Sequence, residues 1–210
     1  MTSYRQIEGI NKNTNIGKEC YSFYKYDGSN LRWEWNKKRG FFKYGTRKRM
    51  FDESDEQFGD AVKLFKENYE ERITKILVDN FKQEKVVIFT EYFGENSFSG
   101  SHIESDKKEL VLFDIHIIKR GILEPREFLK KFGDLDFSAE LLYEGKFNKE
   151  YINKIRENKD GSLNEGVVVK GGKGHNLWMG KVKTLSFLDK LRKENSYELL
   201  DNIKEQSIII

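Results

Sequence analysis

Lys25 stands in the stretch YKYDGSN (24–30), after a run of aromatic residues and just before four good turn formers. A lysine attacks an electrophile only when uncharged, so that role needs surroundings that disfavour the ammonium form. Aromatic neighbours on a strand and a nearby basic cluster are surroundings of that kind. The position reads equally as a strand-edge lysine before a turn. Three carboxylates sit in or beside apolar runs: Glu91 in IFTEYFG, Asp114 in VLFDIHI and Glu165 at the head of EGVVVK. A buried carboxylate is costly unless it is paired or binds a metal, so each alone reads as a core ion pair or as a functional group. Flanking three separate strands, they point together to a common cleft. Carboxylates on rigid strands suit a hard cation such as Mg²⁺, which keeps several waters and bridges to phosphates.

Lys181 and Lys183 have strand spacing and share one face, with Lys170 on the preceding strand. Such a pair fits a solvated face, or a face on which phosphates lie. The clusters TRKR (46–49) and KKRG (37–40) fit either ordinary surface or contact with a nucleic acid backbone. GGKG (171–174) lacks the spacing and the following helix of a phosphate-binding P-loop, which excludes that motif. The three histidines, His102, His116 and His175, lie in unlike contexts without metal-ligand spacing. Neither a Cys–His pair nor a serine triad has support.

The elements around these residues are legible from periodicity, from buried apolar runs and, for VVVK, from β-branching alone. Strands are expected on both sides of DGSN, in KECYSFYKY and LRWEW, and in FFKYGTRKR, EKVVIFTEYFG, ELVLFDIHII, VVVK and LWMGKVKTL. A helix is expected over 55–81, where Phe58, Ala61, Val62, Phe65, Tyr69, Ile73 and Leu77 recur at spacings of three and four. Pro125 opens a second helix, PREFLKKF, and a third follows Asn148. The chain ends in a helix from Ser186, with Ser186 and Asp189 as a variant capping box. Strands with scattered helices, rather than regular alternation, indicate an α+β fold with antiparallel sheets.

Composition narrows the class. The chain has 210 residues, enough for one sizeable core, and sixteen Phe, ten Tyr and three Trp argue against disorder. Mean hydropathy is −0.74. The net charge of +3, from 38 basic against 35 acidic residues, makes any positive surface local. The single cysteine, Cys20, excludes an internal disulfide and fits a reducing, cytoplasmic setting; it reads as a buried apolar residue. The opening residues do not read as a signal peptide, no run has the length of a membrane span, and no membrane partner is expected. The composition, rich in Lys, Asn and Ile and poor in proline, would suit an AT-rich genome, and a phage or virus is a plausible source for so small an enzyme.

Taken in order, Lys25-Tyr26-Asp27-Gly28, Glu91, Phe113-Asp114, Glu165-Gly166 and Lys181-Val182-Lys183 make the chain resemble the covalent nucleotidyltransferases: polynucleotide ligases and mRNA capping enzymes. The resemblance spans about residues 18–185. It implies an adenylyltransferase domain over 1–185, of ATP-grasp-like ligase architecture around a nucleotide cleft, with a helical tail at 186–210. It implies that Lys25 attacks the α-phosphate of ATP, giving lysyl–AMP and pyrophosphate, with Mg²⁺ or Mn²⁺ as cofactor. In that scheme Glu91 lies by the ribose or metal and Phe113 stacks on the base. Glu165 helps hold the metal, and Lys181 and Lys183 contact phosphates. Tyr24 and Gly28 lie beside the nucleotide. Arg47 is the match for a family arginine that meets the nucleotide or a 5′-phosphate, with Arg49 close by.

Asn30, following K-x-D-G as it does, resembles the RNA ligase branch, although Arg32 blurs the distinction from DNA ligases. The implied substrate is a polynucleotide with 5′-phosphate and 3′-hydroxyl ends, RNA favoured over DNA, acted on by a monomer. The alternatives are a minimal DNA ligase, a capping guanylyltransferase, and a non-catalytic nucleic-acid-binding module on the same fold. The residues after Lys183 are too few for the OB-fold that often follows in the family. That suggests a minimal enzyme, a shortened chain, or a second domain supplied by a protein partner.

Overall fold

The computed structural model describes Tyr4, Ile7, Gly9 and residues 15–81, 85–95 and 106–193. In chain order its elements are β1 (Glu19–Lys25), β2 (Ser29–Asn36), β3 (Gly40–Gly45), β4 (Met50–Phe51), α1 (Gly59–Asn68), α2 (Glu70–Asn80), β5 (Val86–Phe93) and β6 (Glu109–Ile117). There follow β7 (Gly121–Ile122), α3 (Pro125–Phe132), β8 (Leu141–Lys146), α4 (Lys149–Glu157), β9 (Gly166–Gly171), a short 3₁₀ turn at Gly174–Asn176, β10 (Trp178–Lys183) and α5 (Leu185–Lys193). The chain divides into two compact units. One comprises Met1–Arg5 and Asp27–Ala139; the other comprises Gln6–Tyr26 and Glu140–Ile210.

The first unit is built on a six-stranded antiparallel sheet in the order β4-β3-β2-β5-β6-β7. Alternation in β2 sends Leu31, Trp33 and Trp35 to the core, all at most 1% exposed. Trp33 stacks on Phe65 of α1 with ring centroids 4.0 Å apart, and its indole N–H donates to Thr90 Oγ1 at 2.9 Å. The long helix expected over 55–81 is two helices. Asp55 closes a turn before Gly59, and at Tyr69 the backbone departs to φ −125°, ψ −35°. The apolar spacing runs through the break, so periodicity does not reveal it. At the junction the Tyr69 ring packs edge-on against Phe137 of a distant segment, with ring centroids 4.7 Å apart. In α3 the proline sits at the first turn as expected, and Phe128 and Phe132, one turn apart, are buried.

The second unit carries a four-stranded antiparallel sheet in the order β10-β9-β1-β8. One face packs on α4: Cys20, Val167, Val169 and Val182 meet Tyr151, Ile152 and Ile155. Asn148 caps α4, its Oδ1 accepting from the Tyr151 N–H at 2.8 Å, as its residue type predicts. Strand β8 was not anticipated. Its residues LLYEGK are largely exposed on both faces, so it has no alternating pattern and is held by pairing with β1. Burial pushes the Cys20 thiol up to about 12, in keeping with an inert core residue.

α5 begins one residue before the expected Ser186. Thr184 takes the capping position, its Oγ1 accepting from the Phe187 N–H at 3.2 Å. Threonine is a somewhat weaker cap than serine, but the end of β10 at Lys183 fixes where the helix can begin. The tail beyond residue 193, the N-terminal segment before residue 15 apart from three residues, and most of the loop expected between β5 and β6 lie outside the described residues. Among the described residues both sheets are open, neither closes into a barrel, and no helix is long and apolar enough to cross a membrane.

Candidate active site

In the second unit, strand register does the assembling. Lys25 pairs across to Gly166 of β9, which pairs in turn with Lys183 of β10. Two residues back along β1, Phe23 faces Val168 and then Lys181; two further, Tyr21 faces Lys170 and Met179. Because side chains alternate, Lys25, Lys183, Lys181 and Lys170 belong to one sheet face, opposite the apolar cluster on α4. Two of these cations, Lys170 and Lys183, are buried, and a buried cation needs a compensating partner.

One anion is intrinsic. Glu165, immediately before β9, places Oε2 2.6 Å from Lys25 Nζ and Oε1 3.2 Å from Lys183 Nζ. The Glu165 and Lys183 side chains are each 4% exposed, while Lys25 is 23% exposed. The Thr184 N–H donates to the Glu165 carbonyl at 3.0 Å, so the carboxylate is anchored from its own backbone. Gly166 makes this crossing possible. Its φ is +148°, and a side chain there would overlap the Val182 carbonyl oxygen. Lys170 is 3% exposed and sits over the Phe23 ring at 4.9 Å. Tyr24, next to Lys25 in sequence, lies on the other face: it packs on the apolar cluster, and its hydroxyl accepts from the Asn164 N–H at 3.2 Å.

The first unit holds the remaining motif residues. Asn30 and Glu91 are direct cross-strand partners, and Gly28 passes so close to β5 that an added Cβ would lie 2.5 Å from the Tyr92 carbonyl oxygen. Phe113 occupies the irregular step of β6: Phe89 pairs with Asp114 and Thr90 with Leu112, leaving Phe113 as the bulged residue. Its ring meets Tyr4 edge-on at 5.1 Å. Asp114, at 1% exposure, accepts from the Tyr4 hydroxyl at 2.5 Å.

The basic cluster is a turn rather than the end of a strand, because Thr46 Oγ1 accepts from the N–H groups of Lys48 and Arg49. Both arginines are exposed, but Arg49 is committed to Asp55 and Gln57 and lies over Phe58, whereas Arg47 makes no ion pair among the described residues. The structure therefore separates Arg47, the match favoured from the sequence, from its near neighbour Arg49. It also shows what sequence reasoning passed over. Tyr4, an isolated tyrosine near the start, supports Asp114. Arg32 is 2% exposed, and burial pulls its guanidinium below its ordinary range, with Glu34 acting against that pull. From the sequence, Arg32 enters only in weighing RNA against DNA ligases and is not marked as a buried residue.

A model of the RNA ligase family matches residues 18–183. The chain belongs to the RNA ligase family. No curated protein matches it in sequence. Among solved structures the fold is similar to that of Naegleria gruberi RNA ligase with PPi, at 18% identity and a TM-score of 0.67, covering 91% of this chain and 58% of that one. A lysine-to-alanine variant of that ligase with ATP and Mn gives 18% identity and a TM-score of 0.66, over 90% and 58% of the two chains. A lysine-to-methionine variant with AMP and Mn gives the same identity and score, over 90% and 57%. The chain thus spans rather more than half the length of these relatives. The family's matched segment runs from the residue before β1 to the last residue of β10, which encloses the whole lysine–glutamate face.

Proposed function

We propose that the chain is an ATP-dependent RNA ligase that adenylylates itself on Lys25, transfers AMP to the 5′-phosphate of a polynucleotide and seals it to a 3′-hydroxyl. The observation that carries this reading is the Lys25–Glu165–Lys183 constellation on one sheet face of a chain in the RNA ligase family. In the first step a bond forms between Lys25 Nζ and the α-phosphorus, the bond to the pyrophosphate oxygen breaks, and Nζ gives up its proton. As an ammonium paired to Glu165, Lys25 has no lone pair to offer, so attack requires that this pair be loosened. Lys181 and Lys183, on the same face, supply positive charge where charge on the phosphates must be neutralised.

The Naegleria ligase structures with ATP, AMP, PPi and Mn support ATP and a divalent cation as cofactors. Among the described residues no three His, Cys, Asp or Glu side chains converge. That donor set fits Mg²⁺ or Mn²⁺ only in the manner of a cation held by one or two carboxylates, with water and substrate phosphates completing its shell. Glu165 would be the carboxylate, and the cation would supply charge neutralisation at the phosphates. The roles expected of Gly28, Asn30, Arg47, Glu91 and Phe113 belong to the same proposal, as does the preference for RNA.

The test is covalent labelling. Protein incubated with α-labelled ATP and Mg²⁺ should retain label through denaturation, with pyrophosphate released. The bond should be acid-labile and base-stable, as a P–N bond is. Lys25→Ala should abolish the label. A wild-type protein that takes up no label from ATP ends the proposal. Sealing of single strands and of nicked duplexes, with RNA or DNA on either side of the nick, then separates the RNA from the DNA reading.

A further inference from the structure

Outside the residues considered so far, one surface combines shape with unbalanced charge. Between α2 and α3 lies an open groove of about 500 Å³ with an apolar floor of Ile76 and Leu135. Arg72, Lys75, Lys130 and Lys131 line it, against one acidic residue, Asp79. The spacing explains the convergence. Residues 72, 75, 76 and 79 fall on one face of α2, and Lys130 and Lys131 occupy the last turn of α3. Lys131 is held in place: its Nζ donates to Asn80 Oδ1 at 2.6 Å, while the Asn80 amide donates to the Ile76 carbonyl at 2.8 Å. That partner is neutral; Lys131 also lies 5.5 Å from the centroid of the Phe81 ring, and among the described residues no carboxylate pairs with it. Arg72 pairs with Asp136 at 2.7 Å, but both side chains are well exposed, 48% and 77%, so the pair is weak and readily exchanged. Lys75 and Lys130 are exposed and make no ion pair among the described residues.

We infer that this groove binds the phosphate backbone of the polynucleotide substrate, as a docking surface separate from the Lys25 face. The groove residues all lie in the first unit, whereas Lys25, Glu165 and Lys183 lie in the second. Two unpaired lysines, a positioned third and an exchangeable arginine give the spaced positive charge along which a phosphodiester chain gains affinity by releasing counterions. The inference rests on the ligase reading for its ligand, and its test separates the two.

The experiment measures binding of a 5′-phosphorylated single-stranded RNA by anisotropy across a KCl series, for wild type and for Lys75→Gln/Lys130→Gln. Each lost phosphate contact lowers the slope of log K against log salt by about 0.7, so the double variant should be shallower by about 1.4. Its self-adenylylation should equal that of wild type, which also shows that it is folded. A control, Lys154→Gln/Lys159→Gln, removes two exposed lysines of the other unit and should leave the slope in place. An unchanged slope in the groove variant, an equal loss in the control, or absence of RNA binding by wild type would each overturn the groove. Failure of wild type to label from ATP, with groove-dependent RNA binding intact, would instead overturn the catalytic reading and leave the groove standing.

Discussion

Removing the charge of Glu165 should cost the protein far more stability than removing the charge of its partner. Lys183 is 4% exposed, and its ammonium has the Glu165 carboxylate at 3.2 Å and the Phe187 ring at 4.8 Å. At 3.2 Å and an effective dielectric of about 20, the attraction is about 5 kcal/mol before desolvation is counted. Glu165→Gln keeps the shape but leaves a buried ammonium without its anion, and breaking a buried pair from one side costs about 3–5 kcal/mol. Lys25, at 23% exposure, can turn towards water, so the penalty falls on Lys183. Glutamine retains a carbonyl acceptor, which places the expected loss near the lower end, at about 3 kcal/mol. That corresponds to a fall in Tm of roughly 6–12 °C for a chain of this size. Lys183→Met removes the ammonium itself and leaves Glu165 paired with Lys25, so its cost should stay under about 1.5 kcal/mol. The double variant should be more stable than Glu165→Gln alone, with a coupling of about 2 kcal/mol. Thermal melts of the four proteins at fixed pH and salt measure the cycle. A Glu165→Gln protein that melts within about 2 °C of wild type would refute the argument that Glu165 holds a buried cation.

Gly166→Ala should lower stability by at least about 2 kcal/mol and abolish self-adenylylation, since a Cβ there collides with β10 midway between Lys25 and Lys183; a variant with wild-type labelling would contradict this. Thr184→Ala should cost about 1 kcal/mol through loss of the α5 cap, read as a lower urea midpoint with an unchanged slope. At alkaline pH, burial pushes the Tyr151 hydroxyl up to about 12 from its ordinary 10.0. A raised pKa in the folded state gives stability that is complete below pH 10 and is lost as pH rises towards 12. Tyr151→Phe should therefore flatten the fall in Tm between those values, and an equally steep fall would count against the assignment. Cys20, fully buried, should resist thiol reagents at pH 8 until the protein unfolds, and rapid labelling of the native protein would show otherwise.

The strands were legible in two ways: β5, β6 and β9 are buried on both faces and show as short apolar, β-branched runs, whereas period-two alternation marks strands with one buried face. LRWEW, with Leu31, Trp33 and Trp35 inward, is the clearest case. Helices α3 and α4 announced themselves through Pro125 and Asn148, whose effects are local. The break at Tyr69 was hidden because the apolar spacing runs straight through it, and strand β8 was hidden because exposed residues carry no pattern.

The site divides along the same line. Residue type, order and spacing are local properties, so the residues able to do chemistry could be read directly: Lys25 before a turn, Glu165 before a strand, Lys181 and Lys183 one pleat apart. Their relation to one another came from the folded chain. Antiparallel register set Lys25, Gly166 and Lys183 in one row and gave both lysines to a single carboxylate. It turned Tyr24 to the opposite face, and it committed Arg49, but not Arg47, to Asp55. A buried charge must find its counter-charge wherever the fold brings one, and that partner can be 140 residues away in the chain, as Glu165 is from Lys25.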